Sequence, residues 1–185
     1  PAAVGPPATP GLVGDVVPFS ARVTDAYGNV CSDAVTWSIA AGAGTVCGVA
    51  AGEVACWGDN FGFQAGHDGP STSEPHWVAG VYDAVSVGCG GLICCARTAT
   101  GALRCWGNVE ISGYYGSTPI LVDLPAPSSV FDIRTYGTGC SATLDGRVSC
   151  WGDDYDGLLA EQDLSEPTLV DKLAGAVGLA LGGNH

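Results

Sequence analysis

Apolar and polar positions alternate along this chain in short runs, and glycine, proline or aspartate interrupts each run within a few residues. No stretch carries apolar residues at helical spacing over ten residues, so the pattern predicts short β-strands throughout. Three segments stand out: "CGVAAGEVACWGDN" (Cys47–Asn60), "CARTATGALRCWGN" (Cys95–Asn108) and "CSATLDGRVSCWGDD" (Cys140–Asp154). Each reads as a β-hairpin. Leu144-Asp145-Gly146 suits a three-residue loop with glycine in the left-handed region; Gly101 plays the same part in "TATGA". "AAGE" is one residue shorter, and Ala51-Gly52 fits a two-residue turn.

These registers set Cys47 opposite Cys56, Cys95 opposite Cys105 and Cys140 opposite Cys150. Opposed residues at a non-hydrogen-bonded site lie about 4.5 Å apart at Cα, within disulfide reach. Three cross-strand disulfides are therefore expected, and with them an oxidising compartment. Cys31, Cys89 and Cys94 are left over, and because nine is odd at least one cysteine has no intrachain partner. Zinc is the competing account, but no Cys-x-x-Cys knuckle occurs and the three histidines sit far from any paired cysteine.

The pattern continues beyond the hairpins. "SEP" (Ser73, Ser165) or "STP" (Ser117) leads into the valine-containing strands "HWVAG", "TLVDKL" and "ILVDL", and "DAVSVG", "VFDIRTYG" and "AVGLALGG" follow. A period of about 45 residues with several strands and a tryptophan–glycine signature marks a propeller blade.

Composition narrows the function. Six basic residues face nineteen acidic ones, a formal charge of −13 over 185 residues. That balance offers no basic stripe for nucleic acid and no attraction to an anionic membrane. The apolar runs are too short to insert into a bilayer. The chain starts at Pro1 and has no methionine, which suggests processing or a fragment, with any signal peptide already removed.

Residues 46–185 resemble the regulator-of-chromosome-condensation repeat in its secreted bacterial form. That form pairs a cysteine before the hairpin with the cysteine of "CWG" and continues into a "GxNxxGQLG"-like loop. Here the loop reads "GDNFGFQAG" (Gly58–Gly66); the later copies, "GNVEISGYYG" from Gly107 and "GDDYDGLLAEQ" from Gly152, match less well. The resemblance implies a β-propeller of roughly seven four-stranded blades. Three repeats (47–91, 92–137, 138–182), with a fourth opening at "GGNH", imply an incomplete or partial propeller. Some relatives catalyse nucleotide exchange on a small GTPase, and others inhibit β-lactamases or bind proteins. No residue here carries those activities over.

Residues 14–46 lack the repeat signature. "FSARVTD" and "AVTWSIA" flank the turn "AYGN" and resemble the middle of a bacterial immunoglobulin-like domain, with Trp37 as its core residue; the alternative is that the segment adds strands to the propeller or to a neighbouring subunit. Residues 1–13, "PAAVGPPATPGLV", read as a Pro/Gly-rich arm or linker.

Candidate chemistry is sparse. Asp153, Asp154 and Asp156 are calcium candidates, but the full loop with its distant glutamate is missing. His67 and His76 lie near Ser71 and Ser73 without a strand–elbow–helix around them. Trp57, Trp106 and Trp151 recur at equivalent positions and are expected in the blade cores. Phe61, Phe63, Tyr114 and Tyr115 fall in the loops that follow "CWG", where they either form a binding surface or pack between blades. No catalytic residue and no cofactor is assigned. The fold expected is all-β, with propeller blades preceded by immunoglobulin-like strands. The function expected is a secreted, non-enzymatic extracellular binding platform or adhesion module for a protein or glycan. The alternative is a homopolymeric filament or surface-layer subunit joined through open sheet edges. Behind both come a nucleotide-exchange factor and a polysaccharide-active enzyme.

Overall fold

The computed structural model describes residues 38–109, 113–134, 137–152, 164–170 and 173–181, all within one compact unit. The described residues contain no helix, and none of them forms a span able to cross a membrane as a helix. They form twelve strands: β1 (Ser38–Ala41), β2 (Thr45–Ala50), β3 (Glu53–Gly58), β4 (Thr72–Trp77), β5 (Ala84–Cys89), β6 (Ile93–Thr98), β7 (Leu103–Val109), β8 (Tyr114–Val122), β9 (Val130–Ile133), β10 (Gly139–Ala142), β11 (Val148–Gly152) and β12 (Leu164–Leu169). Three antiparallel four-stranded sheets result, each in simple chain order: β1–β4, β5–β8 and β9–β12.

Every sheet thus starts one strand before its stapled hairpin. Ser38–Ala41, which the sequence pattern places with the immunoglobulin-like segment, pairs instead with Val46–Val49. The alternation of "SIAA" suits either sheet, and the free edge of β2 takes it. Trp37, Cys31, the arm and the rest of the immunoglobulin-like segment lie outside the described residues.

The hairpins fold in the registers expected. Cys47 faces Cys56, Cys95 faces Cys105 and Cys140 faces Cys150, and each pair is a disulfide with Cα atoms 4.0–4.1 Å apart. A fourth disulfide, Cys89–Cys94, closes the β5–β6 hairpin, where the two residues are also directly opposed. Four disulfides belong in an oxidising environment.

"Cys-Trp-Gly" has one geometry in all three sheets. The cysteine staples the hairpin. The tryptophan falls where the register to the outer strand shifts, between Cys56 and Gly58, Cys105 and Gly107, and Cys150 and Gly152. The glycine has φ of 105°, 93° and 100° in turn. A Cβ on Gly58 or Gly107 would sit 2.2 Å from a carbonyl oxygen of the turn before β2 or β6, so only glycine fits.

Sheet stacks on sheet through a repeated bond. The turn carbonyls of Gly52, Gly101 and Gly146 accept from the amides of Ala84, Ser128 and Ala176, at 2.9, 2.8 and 3.2 Å. Strand alternation then splits β6 between two cores. Cys94 and Ala96 face the first sheet, packing with Cys47, Val54, Cys56 and Val78. Ile93 and Cys95 face the third, packing with Ile133 and Trp151. The segment "AVGLALGG" is not a strand in its described part; Ala176, Leu179 and Leu181 pack on the third sheet, and the Leu181 amide donates to Asp132 Oδ2 at 2.7 Å.

Candidate functional site

The loop leaving β3 is held by its own side chains. Asn60, 6 % exposed, donates through Nδ2 to the carbonyls of His67 (2.8 Å) and Gly69 (2.7 Å) and accepts from the Ala65 amide at 2.9 Å. Gln64 is fully buried and accepts from the Gly62 amide at 2.7 Å. Its carbonyl accepts the indole N–H of Trp106, in the next sheet, at 2.9 Å. The loop is therefore stitched within itself and hooked to its neighbour. Gln64 Nε2 is buried without a partner among the described residues, but the bonds that Asn60 and Gln64 do make hold the loop in one conformation.

Rigidity here presents aromatic rings to solvent. Phe63 sits in the left-handed region at φ 62°, a conformation costly for a bulky residue. It is held there by its amide on the Asn60 carbonyl and by the Gly66 amide on its own carbonyl. Its ring meets Tyr115 of β8 edge-on, centroids 5.2 Å apart at 81°. The Tyr115 hydroxyl donates to the Phe61 carbonyl at 3.0 Å. Phe61 and Tyr115 stay 82 % and 53 % exposed. Two residues on, Ser117 donates to Asp68 across the same boundary.

Three of the four candidate aromatics thus form one patch. Tyr114 does not join it: its ring packs against the core shared by the second and third sheets, and its hydroxyl accepts from the Thr118 amide. Asp59 and Asp68 lie in the same loop, and residues 38–96 contain no lysine or arginine. His67 lies beside the patch, its ring 4.4 Å from that of His76. Partial burial and the neighbouring His76 hold the His67 imidazole below its ordinary 6.5, against an opposing pull from Asp68. Ser71 donates to Asp59 Oδ1 and accepts from the Asn60 amide, so its oxygen is committed away from both imidazoles.

Trp106 and Trp151 are fully buried, but each fills the boundary with the preceding sheet: Trp106 packs with Cys47, Val54 and Val78, and Trp151 with Ile93, Leu103 and Cys105. Trp57, expected in a blade core with them, is only half-buried, since no described sheet precedes its own. The calcium candidates Asp153, Asp154 and Asp156 lie outside the described residues. The sulfurs of Cys47, Cys89 and Cys94 lie within 4.8 Å of one another, yet all three are in disulfides, which leave no thiolate to bind a metal.

Sequence reasoning overlooked Asn60 and Gln64 as the loop's anchors, although "GDNFGFQAG" contains both. It also left Cys89 and Cys94 unassigned, although two glycines between them signal a tight turn.

No family model and no curated protein matches this sequence. Solved structures do. Prp20p of Saccharomyces cerevisiae, described with its binding to Gsp1p and histones, is 17 % identical with a TM-score of 0.59, over 83 % of this chain and 41 % of that one. Human WBSCR16 is 20 % identical with a TM-score of 0.59, over 86 % of this chain and 43 % of the other. Yeast RCC1 (Prp20) bound to Kap60 is 16 % identical with the same score, over 83 % and 40 %. The chain thus spans about two fifths of the length of these proteins. The fold is an RCC1-like β-propeller fold.

Proposed function

We propose that this chain is a non-enzymatic, secreted binding module whose contact surface is the Phe61–Phe63–Tyr115 patch, and that its ligand is a protein. The observation that carries this is the exposure of Phe61, on a loop held by buried Asn60 and Gln64, beside the exposed Tyr115 of β8, which bonds to it. Pre-ordered exposed aromatics are the usual anchors of a protein interface, because little entropy is lost when they are covered. The propeller neighbours described with Gsp1p, histones and Kap60 lend support for protein binding in general. The absence of lysine and arginine from residues 38–96 favours a partner segment bearing cationic side chains, which aromatic faces and carboxylates both attract. The test is retention of proteins from the source's extracellular fraction. A partner held by the wild type and by Leu144→Ala, but lost with Phe61→Ala/Tyr115→Ala, supports the reading. Equal retention by all three overturns it.

A second reading, a self-assembling structural subunit, rests on Ile39. It is 50 % exposed, whereas Val87, at the equivalent place in β5, is covered to 7 % by the neighbouring sheet. A sheet from a neighbouring copy would cover Ile39 in the same way. Outer-edge strand pairing is disfavoured, since Pro75, Pro119 and Pro167 lie in β4, β8 and β12. A mass well above 18.5 kDa that survives dilution in light scattering supports assembly; a single-chain mass excludes it.

A further inference from the structure

The first two sheets meet at a pair of disulfides that touch. Cys47–Cys56 staples the β2–β3 hairpin and Cys89–Cys94 staples the β5–β6 hairpin. Across the boundary, Cys47 Sγ lies 3.7 Å from Cys94 Sγ, about van der Waals contact for sulfur and within reach of thiolate attack. Cys47, Cys56 and Cys94 are fully buried, while Cys89 is half-buried and is the sulfur an outside reagent reaches. The other two disulfides face different neighbours: Cys95 and Cys105 pack in the core shared with the third sheet, and Cys140 and Cys150 pack against Val148 and Ala176.

We propose that these four cysteines form a thiol–disulfide exchange site whose co-reactant is a dithiol reductant and whose product is a covalent bond between the first two sheets. A thiolate of the dithiol attacks Cys89 Sγ, forming a mixed disulfide and releasing the Cys94 thiolate. Cys94 then attacks Cys47 Sγ. The Cys47–Cys94 bond forms, the Cys47–Cys56 bond breaks, and Cys56 leaves as a thiolate that takes a proton from solvent. The second thiol of the dithiol resolves the mixed disulfide, freeing Cys89. Two protein disulfides become one disulfide and two thiols, and the dithiol becomes a disulfide: two electrons and two protons pass to the protein. Two staples, each inside one hairpin, are thereby exchanged for one that crosses from sheet to sheet. The attacking and attacked sulfurs start in contact, so the exchange asks for a local approach of the two cysteines and not for new strand pairing.

The experiment is limited reduction of the intact chain under native conditions with dithiothreitol, followed by rapid alkylation and peptide mapping. The expected result is a Cys47–Cys94 cross-linked peptide, with Cys56 and Cys89 alkylated in equal amounts, each about ten-fold above Cys150 and Cys94. Alkylated Cys89 and Cys94 with an intact Cys47–Cys56 bond overturns the proposal. So does simultaneous labelling of Cys95, Cys105, Cys140 and Cys150, which reports unfolding instead of local exchange. A second arm uses Cys89→Ser, which leaves Cys94 as a thiol beside the Cys47–Cys56 disulfide. The cross-link is then expected with no reductant added, together with a free Cys56. Recovery of only Cys47–Cys56 in that variant also overturns the proposal, and if the variant fails to fold the wild-type map decides alone.

Discussion

The boundary between the first and second sheets and that between the second and third use the same turn-to-amide bond and the same buried tryptophan, but different chemistry supports them. At the first, Trp106 gives its indole N–H to the Gln64 carbonyl, the loop behind it is stitched by Asn60, and two disulfides touch. At the second, the Trp151 indole N–H is buried with no partner among the described residues, and a single disulfide, Cys95–Cys105, faces the boundary. The loops differ in sequence: counted from the glycine of "CWG", "GNVEISGYYG" has Val109 and Gly113 where "GDNFGFQAG" has Asn60 and Gln64. Stacking geometry is thus a property of the repeat, while the side chains that support each boundary are particular to its loop.

The largest effect tests the shared geometry. Gly107→Ala forces a Cβ to within 2.2 Å of the Leu92 carbonyl oxygen at φ 93°. Urea unfolding should show a loss of about 3 kcal/mol. Gly113, also in the left-handed region but with nothing among the described residues within 4 Å of its Cβ position, is the control; Gly113→Ala should cost about 1 kcal/mol. Equal losses would mean that φ alone, and not the close approach, makes glycine necessary.

The contrast between the two boundaries comes next. Trp106→Phe strands the buried Gln64 carbonyl, whereas Trp151→Phe removes a donor with no partner among the described residues. Trp106→Phe should therefore cost about 2 kcal/mol more than Trp151→Phe in the same titration. Similar losses at both would show that ring volume dominates and that the indole bond is incidental.

A smaller effect lies in the first hairpin. Ala51 and Gly52 have φ of 51° and 85°, both positive, as the two-residue turn requires. Asparagine tolerates that conformation better than alanine, so Ala51→Asn should raise stability by about 0.5–1 kcal/mol in thermal unfolding.

The smallest expected effect is that of pH on the loop bearing the patch. His67 is held neutral below its ordinary 6.5 in the folded chain. Below that pH the unfolded chain binds the proton more readily, so stability falls as pH drops from about 7 toward 5. Asp145, lowered from 3.8 by its hydrogen bond from Thr143 and its contact with Arg147, acts only at more acidic pH. The loss of Tm between pH 7 and 5 should shrink in His67→Gln; an unchanged slope would assign it to another group.

Much of the fold was legible because its units are local. Turn residues and cysteines nine or ten apart encode each hairpin and its staple, and even Cys89–Cys94, five apart, carried a turn signal. The candidate patch was legible only as separate residues. Phe61 and Tyr115 are 54 positions apart, and nothing in either loop says that β8 turns Tyr115 outward and Tyr114 inward. The strand "SIAA" was left between two assignments for a related reason: its alternation fits any sheet, and only the vacant edge of β2 selects one.

By itself, then, the sequence determined the all-β class, the period and three hairpins with their cysteine pairs, because turn chemistry and strand alternation act over a few residues. Only the tertiary structure decided which faces meet across sheets. Trp106 fills the boundary with the sheet before it, Phe63 reaches Tyr115, and Cys47 touches Cys94. Those contacts depend on how whole sheets stack, a choice made by the combined packing of residues more than 40 positions apart, and no local pattern records it.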